Sequence, residues 1–408
     1  MAIVIKSSPE RYGLAYNDNP YVFLSTNYAA GQRFRVGVLQ QGAPPLAIER
    51  VYPRPSEGIF GNVYQDRAYY DPSRILQTQV KPFIRMATPN HATILDASVM
   101  RKNYSMFITE ELLQPDGTYV DGDRWDSELK TVWNGVRNTL DWLDFDYNDF
   151  DISQNNKRFL TDAPTTQYID SNQSAFLYFF TEQADVAQVR LRGYDATGAN
   201  ITNGFIDVSS GSKFNRVAIG TYDIENSDAS DWSTGNPTTF LNGVTYYRVN
   251  VLTASGTSET ITYYVNKRCS KYTPIRLHWL NRMGGFDSFN FSLKSMQETD
   301  IERGSYRKQH HRMGSSSWLY DQSSRGTTDY NIQTMDKLTV NTPFLTEAES
   351  VWMNDFATSP VIYQELNNKI IAMSGKAKMI NKKTSLNDKL MQYTFELDYS
   401  LVNHRQRG

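Results

Sequence analysis

The 408-residue chain has a single cysteine, Cys269, which excludes an internal disulfide framework and any multi-thiolate metal site. Histidine is scarce. His91, His278, His310, His311 and His404 form no i, i+4 helical pair, and adjacent His310 and His311 point to opposite sides of an extended backbone, so no metal or other cofactor is expected. No apolar run approaches the ~20 residues that a membrane helix needs, so no membrane insertion is expected. Neither charge sign is in excess. Forty-two basic side chains against forty-four acidic ones give a formal charge of −2, which argues against general nucleic-acid binding because counterion release needs clustered Lys and Arg. The first residues, Met-Ala-Ile-Val-Ile-Lys, lack the basic flank and long apolar core of a secretory signal, so synthesis in the cytoplasm is expected.

Catalytic motifs are missing as well. There is no Gly-x-Ser-x-Gly elbow and no phosphate-binding Gly-x-x-x-x-Gly-Lys-Ser/Thr. The acidic run Asp121–Asp126 starts like a calcium loop, but Trp125 stands where an oxygen ligand is needed and Val132 occupies the twelfth position. Asp141, Asp144, Asp146 and Asp149, near Trp142 and Tyr147, are the one candidate for a paired-carboxylate glycosidase site; they read as solvated acids beside core aromatics. The protein is not expected to be an enzyme.

Aromatic residues are abundant: 26 Tyr and 20 Phe. Flat rings suit a pleated surface, and the patterning agrees. Residues 21–25 and 33–39 read as strands, with Phe34, Val36 and Val38 alternating against Arg33, Arg35 and Gly37. Four prolines make 41–55 loop or edge strand. Residues 105–113 form a strand that leads into a turn at Gln114-Pro-Asp-Gly117 and a further strand at 118–120. The spacing of Leu129, Val132, Trp133, Val136, Leu140 and Leu143 predicts a helix over about 127–143, capped by Asp126 or Ser127. Residues 161–268 hold six strand-like runs (176–180, 188–194, 204–208, 216–222, 244–252 and 259–265) without a helix signal. That is the pattern of an immunoglobulin-like β-sandwich, inserted between an N-terminal β-rich part, 1–160, and a C-terminal one, 269–408. Its closing hairpin places Tyr247, Val249 and Val251 opposite Ile261, Tyr263 and Val265.

Beyond it, 275–280, 286–291 and 336–340 read as strands, and 292–330 as a polar, exposed arm or a loop that orders against a partner. Thr346-Glu-Ala-Glu349 is a capping box opening a helix whose apolar face carries Val351, Trp352 and Phe356 and which Pro360 ends. Met391, Tyr393, Phe395, Leu397, Tyr399 and Leu401 alternate with polar residues, as a strand of about 35 Å does. The fold class is therefore mainly β, sandwich- or barrel-like, with two short helices.

Two segments are longer than chance tetrapeptides. Trp279-Leu-Asn-Arg-Met-Gly-Gly-Phe-Asp-Ser-Phe-Asn-Phe291 resembles a Trp-x-Asn-x-x-Gly-x-Phe/Tyr-Asp-x-Phe signature. Leu345–Tyr363 resembles a Leu-x-x-x-Glu-x-x-Trp-Leu-x-x-Leu-x-x-Ser-Pro-x-Val-Tyr signature, with Met353 and Phe356 at its Leu positions and Tyr363 behind Val361-Ile362. Both signatures resemble those of tail and neck structural proteins of crAss-like phages that infect Bacteroidetes. The resemblance covers roughly 270–408. It implies a virion tail subunit, a hub or ring component whose partners are copies of itself and other neck or tail proteins. Trp279, Asn281, Gly284, Gly285, Phe286, Asp287, Trp352, Pro360 and Tyr363 become fold-signature or interface candidates. The Gly284-Gly285 pair permits a tight turn, which would let Trp279 and Phe286 fold back on each other. The arm, the proline-rich 41–55 and the Tyr-rich strands are candidate contact elements. The alternative is a tail-tip protein that binds or degrades a host glycan, with Trp232 as the candidate sugar platform.

Overall fold

The computed structural model describes residues 3–26, 31–40, 42–54, 56–57, 63–64, 67–84, 94–183, 186–207, 211–254, 256–266, 271–309, 311–320, 323, 325–376 and 391–404. Cys269, His91 and His310 lie outside them. The protein is mainly β and sandwich-like, and no sheet closes into a barrel among the described residues.

The N-terminal part stacks two sheets. Ile3–Ser7, Tyr21–Ser25 and Arg67–Tyr70 form one; Tyr12–Leu14, Lys130–Trp133, Arg101–Leu113, Arg33–Leu39 and Ala47–Val51 form the other, in that order. The alternation in Arg33–Leu39 sends Phe34, Val36 and Val38 into the space between the sheets, where they meet Phe23, Met106 and Ile108. Ala47–Val51 is an edge strand inside the proline-rich stretch. Tyr119–Asp126 folds back on Arg101–Leu113 through the expected turn, whose Gly117 has φ +82° and nothing nearby for a Cβ to meet.

The helix expected over 127–143 does not form. Lys130–Trp133 is a strand, antiparallel to Arg101–Leu113 and parallel to Tyr12–Leu14, and only Thr139–Leu143 is helical. Thr131, Val132 and Trp133 are β-branched or aromatic, and Asn134-Gly135 weakens a helix, so an available sheet edge wins over apolar periodicity. Leu140 and Leu143, placed on the buried face by that periodicity, are 78% and 77% exposed.

In the middle, one sheet runs Thr166–Ile169, Ile261–Val265, Tyr246–Thr253, Val186–Tyr194, Asn200–Asp207, Trp232–Thr234. The second layer is Phe176–Phe180 and Phe214–Ala218, and Ile94–Asp96 from the N-terminal part supplies its third strand. Tyr247 faces Tyr263 and Val249 faces Ile261; these four and Val251 are buried, and half-buried Val265 packs against their cluster. The strand expected over 216–222 stops at Ala218 because Gly220 opens a helix, Thr221–Glu225. Asp223 holds that end, accepting from the N–H groups of Gly220 and Ala175. A second short helix, Pro237–Phe240, is capped by Asn236, so this region carries helices that its sequence did not signal.

The C-terminal sheet has seven strands in the order Phe286–Phe291, Ile275–Leu280, Ile362–Leu366, Lys369–Gly375, Thr394–His404, Thr327–Asn341, Met296–Arg307. Helix Glu347–Thr358 lies on it with the capping box formed: the Thr346 hydroxyl accepts from the Glu349 N–H, and the Glu349 carboxylate accepts from the Thr346 N–H. Trp352, Met353 and Phe356 face the sheet. Val351, expected on that face, is 64% exposed because it sits a quarter-turn away. The final strand starts at Thr394, three residues later than its alternation suggested; Phe395 and Leu397 enter the core, but Leu401 lies at the exposed end.

The polar stretch after Phe291 is a β-arm. Met296–Arg307 pairs along its length with Thr327–Asn341, and a smaller hairpin, His311–Met313 with Trp318–Tyr320, lies at the tip. Every residue of Met296–Arg307 except Gly304 is exposed. No helix is long and apolar enough to cross a membrane among the described residues.

Candidate functional site

The nine signature residues come from two segments far apart in the chain, and they meet. Asn281 closes the turn between Ile275–Leu280 and Phe286–Phe291: its Oδ1 accepts from the N–H groups of Met283 and Gly285, both at 3.0 Å. Its Nδ2 donates to the Leu160 carbonyl (3.0 Å) and to Asp287 Oδ1 (2.7 Å). Gly284 has φ +86°, and a Cβ there would stand 1.7 Å from the Asn134 carbonyl oxygen. At Gly285 a Cβ would meet the Tyr178 ring at 2.8 Å. Glycine is required at 284 twice over, by dihedral and by space.

Trp279 and Phe286 do not fold back on each other. Leu280 pairs with Phe286, and Trp279 with Asp287, so the two rings leave opposite faces of the hairpin. Trp279 packs on Trp352 and Phe356, with centroids 4.9 and 5.3 Å apart. Phe286 joins a different core, next to Tyr178 and Tyr363, which also holds Trp133, Phe180 and Phe214 from the other two parts of the chain. The hairpin thus seals two cores at once.

Asp287 ties the two signatures together. Its carboxylate accepts from the Trp352 indole N–H (2.7 Å), Asn281 Nδ2 and the Thr161 hydroxyl (2.8 Å). Burial pushes its pKa up to about 7, against the pull of those three donors. Arg282 pairs with Asp355 at 2.7 Å, and burial raises the Asp355 carboxyl to about 6 despite that arginine. Both border a cleft of about 570 Å³ together with Pro360 and Val361. Of the nine residues only Pro360 is exposed and Tyr363 half-buried; the rest are interior. Their contacts are hydrogen bonds and ring packing.

A second polar group escaped the sequence reading. Arg276, 3% exposed, donates through Nε and Nη2 to the Ser174 carbonyl and through Nη1 to Asn290 Oδ1. His278 is fully buried, with Nδ1 2.7 Å from Ser288 Oγ and Nε2 3.1 Å from Glu365 Oε2. Burial lowers the His278 pKa. Burial also opposes ionisation of Glu365, but His278 and Arg276 hold that carboxyl below its usual range. This network bolts the seven-stranded sheet to Ser174 in the middle region, and nothing local in the sequence announces it: Arg276 and His278 occupy alternate positions of a strand whose other face is equally buried.

The alternative sites fare differently. Trp232, the candidate sugar platform, is 7% exposed, lies against Phe240 and Gly204, and donates its indole N–H to Ser227 Oγ; no ring face is open. Asp141, Asp144, Asp146 and Asp149 are exposed, and Asp146 caps a 3-10 turn. The neighbouring cleft of about 300 Å³ is lined by Trp142, Tyr147, Glu10 and Asp18 but by none of those four. Four tyrosines do form a ladder on the outer sheet face: Tyr194 on Tyr246 (4.9 Å), Tyr246 on Tyr264 (5.2 Å) and Tyr264 on Tyr168 (5.9 Å). The rings lean on one another, so their flat faces are spent on cross-strand packing. No group of three or more metal-ligating side chains occurs among the described residues.

No family model matches the chain, and no curated protein matches it. Among solved structures, trypsin-activated alpha-2-macroglobulin from Escherichia coli aligns with 9% identity over 98% of this chain and 24% of that one, at a TM-score of 0.18. The native conformation of E. coli alpha-2-macroglobulin aligns with 8% identity over 83% and 22%, also at 0.18. The chain spans about a quarter of the length of these structures, and at such scores the likeness carries no argument.

Proposed function

We propose that the protein is a structural subunit of a bacteriophage tail, a hub or ring component that acts by binding copies of itself and neighbouring neck or tail proteins within the virion. The observation that carries this reading is the arm. A twelve-residue strand, Met296–Arg307, stands at the edge of a seven-stranded sheet with its outer backbone row facing no other strand among the described residues. Long exposed edges are ready templates for another chain, and this one is blunted only in part, by a register shift at Gly304/Ser305 and by its charged side chains. Exposed apolar side chains accompany it: Ile301, Tyr306, Met313, Trp318 and Tyr330. Support also comes from the two signature segments, which meet at Asp287 and Trp352 as one interlocked unit. The reading assigns no catalytic step.

The test is imaging of purified particles carrying a small internal tag on this chain, with light-scattering mass of the isolated protein. Label at the tail in several copies around an axis is expected. A lone monomer that releases saccharide from host glycan would overturn the reading.

A further inference from the structure

The arm carries charge unevenly. From 303 to 325 the sequence has five basic residues, Arg303, Arg307, Lys308, Arg312 and Arg325, against one acid, Asp321, a local charge of +4 in a chain whose total is −2. Arg303 pairs with Asp329 at 2.9 Å. Among the described residues the other four have no acidic partner within ion-pair distance, and all four are exposed. Between them stand Met313 and Trp318, 75% and 56% exposed. An apolar pair within a basic rim has the anatomy of a protein contact.

The opposite surface lies on the same chain. From 114 to 128 the sequence has Asp116, Asp121, Asp123, Asp126 and Glu128 against Arg124, a local charge of −4. This stretch holds the strand Tyr119–Asp126, of which every residue but Tyr119 and Trp125 is exposed, and the neighbouring Leu113 and Val120 are 43% and 52% exposed. Ion pairs with Arg35 and Arg124 engage Asp121 and Asp126. The adjoining ends of the sheet leave the balance unchanged, because Arg33, Arg35 and Arg50 are offset by Glu49, Glu110 and Glu111.

We infer that the tip of the arm of one copy docks on the acidic hairpin Gln114–Glu128 of the next copy. Two different patches of the same chain meet, which generates a ring or an open filament when each arm engages a further copy, and a two-fold pair when two copies exchange arms reciprocally. Beyond the Glu302–Gln333 pair no third strand backs the arm among the described residues, so five residues of the edge strand at ~3.3 Å each, ~16 Å, and the hairpin at the tip project past the sheet toward a neighbour. The inference deepens the assembly reading above by naming the two surfaces that meet.

The experiment uses the full chain in sedimentation velocity. The arm variant carries Arg307→Glu, Lys308→Glu and Arg312→Glu; the hairpin variant carries Asp121→Lys, Asp123→Lys and Glu128→Lys. All six positions are exposed, and circular dichroism checks that each variant folds. Each variant alone is expected to weaken self-association about tenfold or more, the wild-type association to fall with added salt, and an equimolar mixture of the two variants to regain it, since each arm then finds a hairpin of opposite sign. Association indifferent to both variants overturns this inference and leaves the assembly reading standing. A wild type that stays monomeric at low salt, with no chemical cross-link between arm and hairpin, overturns both. Binding of a labelled duplex oligonucleotide that the arm variant loses, with self-association unaltered, shows that the basic tip serves a different polyanion and also overturns the inference.

Discussion

Trp352 donates its indole N–H to Asp287 across 65 positions of sequence, at 2.7 Å and out of reach of solvent. That bond joins a helix to a hairpin and, with the Arg282–Asp355 ion pair, ties the two signature segments together through polar atoms. Trp352→Phe keeps most of the ring packing and removes the donor. It is expected to lower unfolding free energy by about 1–3 kcal/mol, the cost of leaving a buried carboxylate one partner short. Urea unfolding followed by tryptophan fluorescence measures it; a change within error would mean that the bond contributes nothing.

The same carboxylate makes stability depend on pH. Its folded pKa, about 7, lies above its ordinary value of 3.8, so the folded protein holds a proton that the unfolded chain releases. The contribution is full below about pH 4 and is lost as pH rises through about 7. Asp355, raised to about 6, acts in the same direction. His278 acts oppositely: its folded pKa is lowered from 6.5, so its contribution is lost as pH falls below that value. Urea midpoints from about pH 4 to about pH 8 should therefore decline on the alkaline side, and Asp287→Asn should flatten that decline, leaving the smaller slope due to Asp355 and to Glu259, whose carboxyl burial also raises.

Two glycines with similar dihedrals predict unequal costs. Gly284 (φ +86°) stands against the Asn134 carbonyl, whereas Gly117 (φ +82°) stands in open space. Gly117→Ala should cost only the left-handed strain, about 1 kcal/mol. Gly284→Ala adds a collision with fixed backbone and should cost several times as much or abolish folding. Equal melting shifts in the two variants would contradict the placement of the 281–285 turn.

Thr346→Ala removes the helix cap and should cost about 1 kcal/mol without disturbing the sheet beneath. Thermal unfolding of this variant calibrates the others, since its effect depends on the cap alone.

The tyrosine ladder should yield to single substitution. Tyr246 touches both Tyr194 and Tyr264, so Tyr246→Ala breaks two ring contacts and should cost about 1–3 kcal/mol, against roughly half of that for Tyr168→Ala at the end of the row. Comparable losses at the two positions would argue that the ladder is decorative.

Sequence alone settled what depends on neighbours in the chain. Alternation at Phe34, Val36 and Val38 and at Tyr247, Val249 and Val251 marked inward faces, because a strand's side chains change sides at every residue. The cap at Thr346 and the turn at Gly117 were legible for the same reason: their chemistry closes within four residues. The tertiary structure decided everything in which the rival partners lie far away. Lys130–Trp133 became a strand because Tyr12–Leu14 and Arg101–Leu113 offered it hydrogen bonds that no local helix could match. Trp279 turned to Trp352 and away from Phe286 because register, not proximity, assigns a side chain to a face. Asp287 and Asn281, Thr161, and Trp352 converge from three separate stretches, and a buried carboxylate has no periodic signature. Such a group is specified only by the donors that surround it, and those donors become neighbours only when the chain has folded.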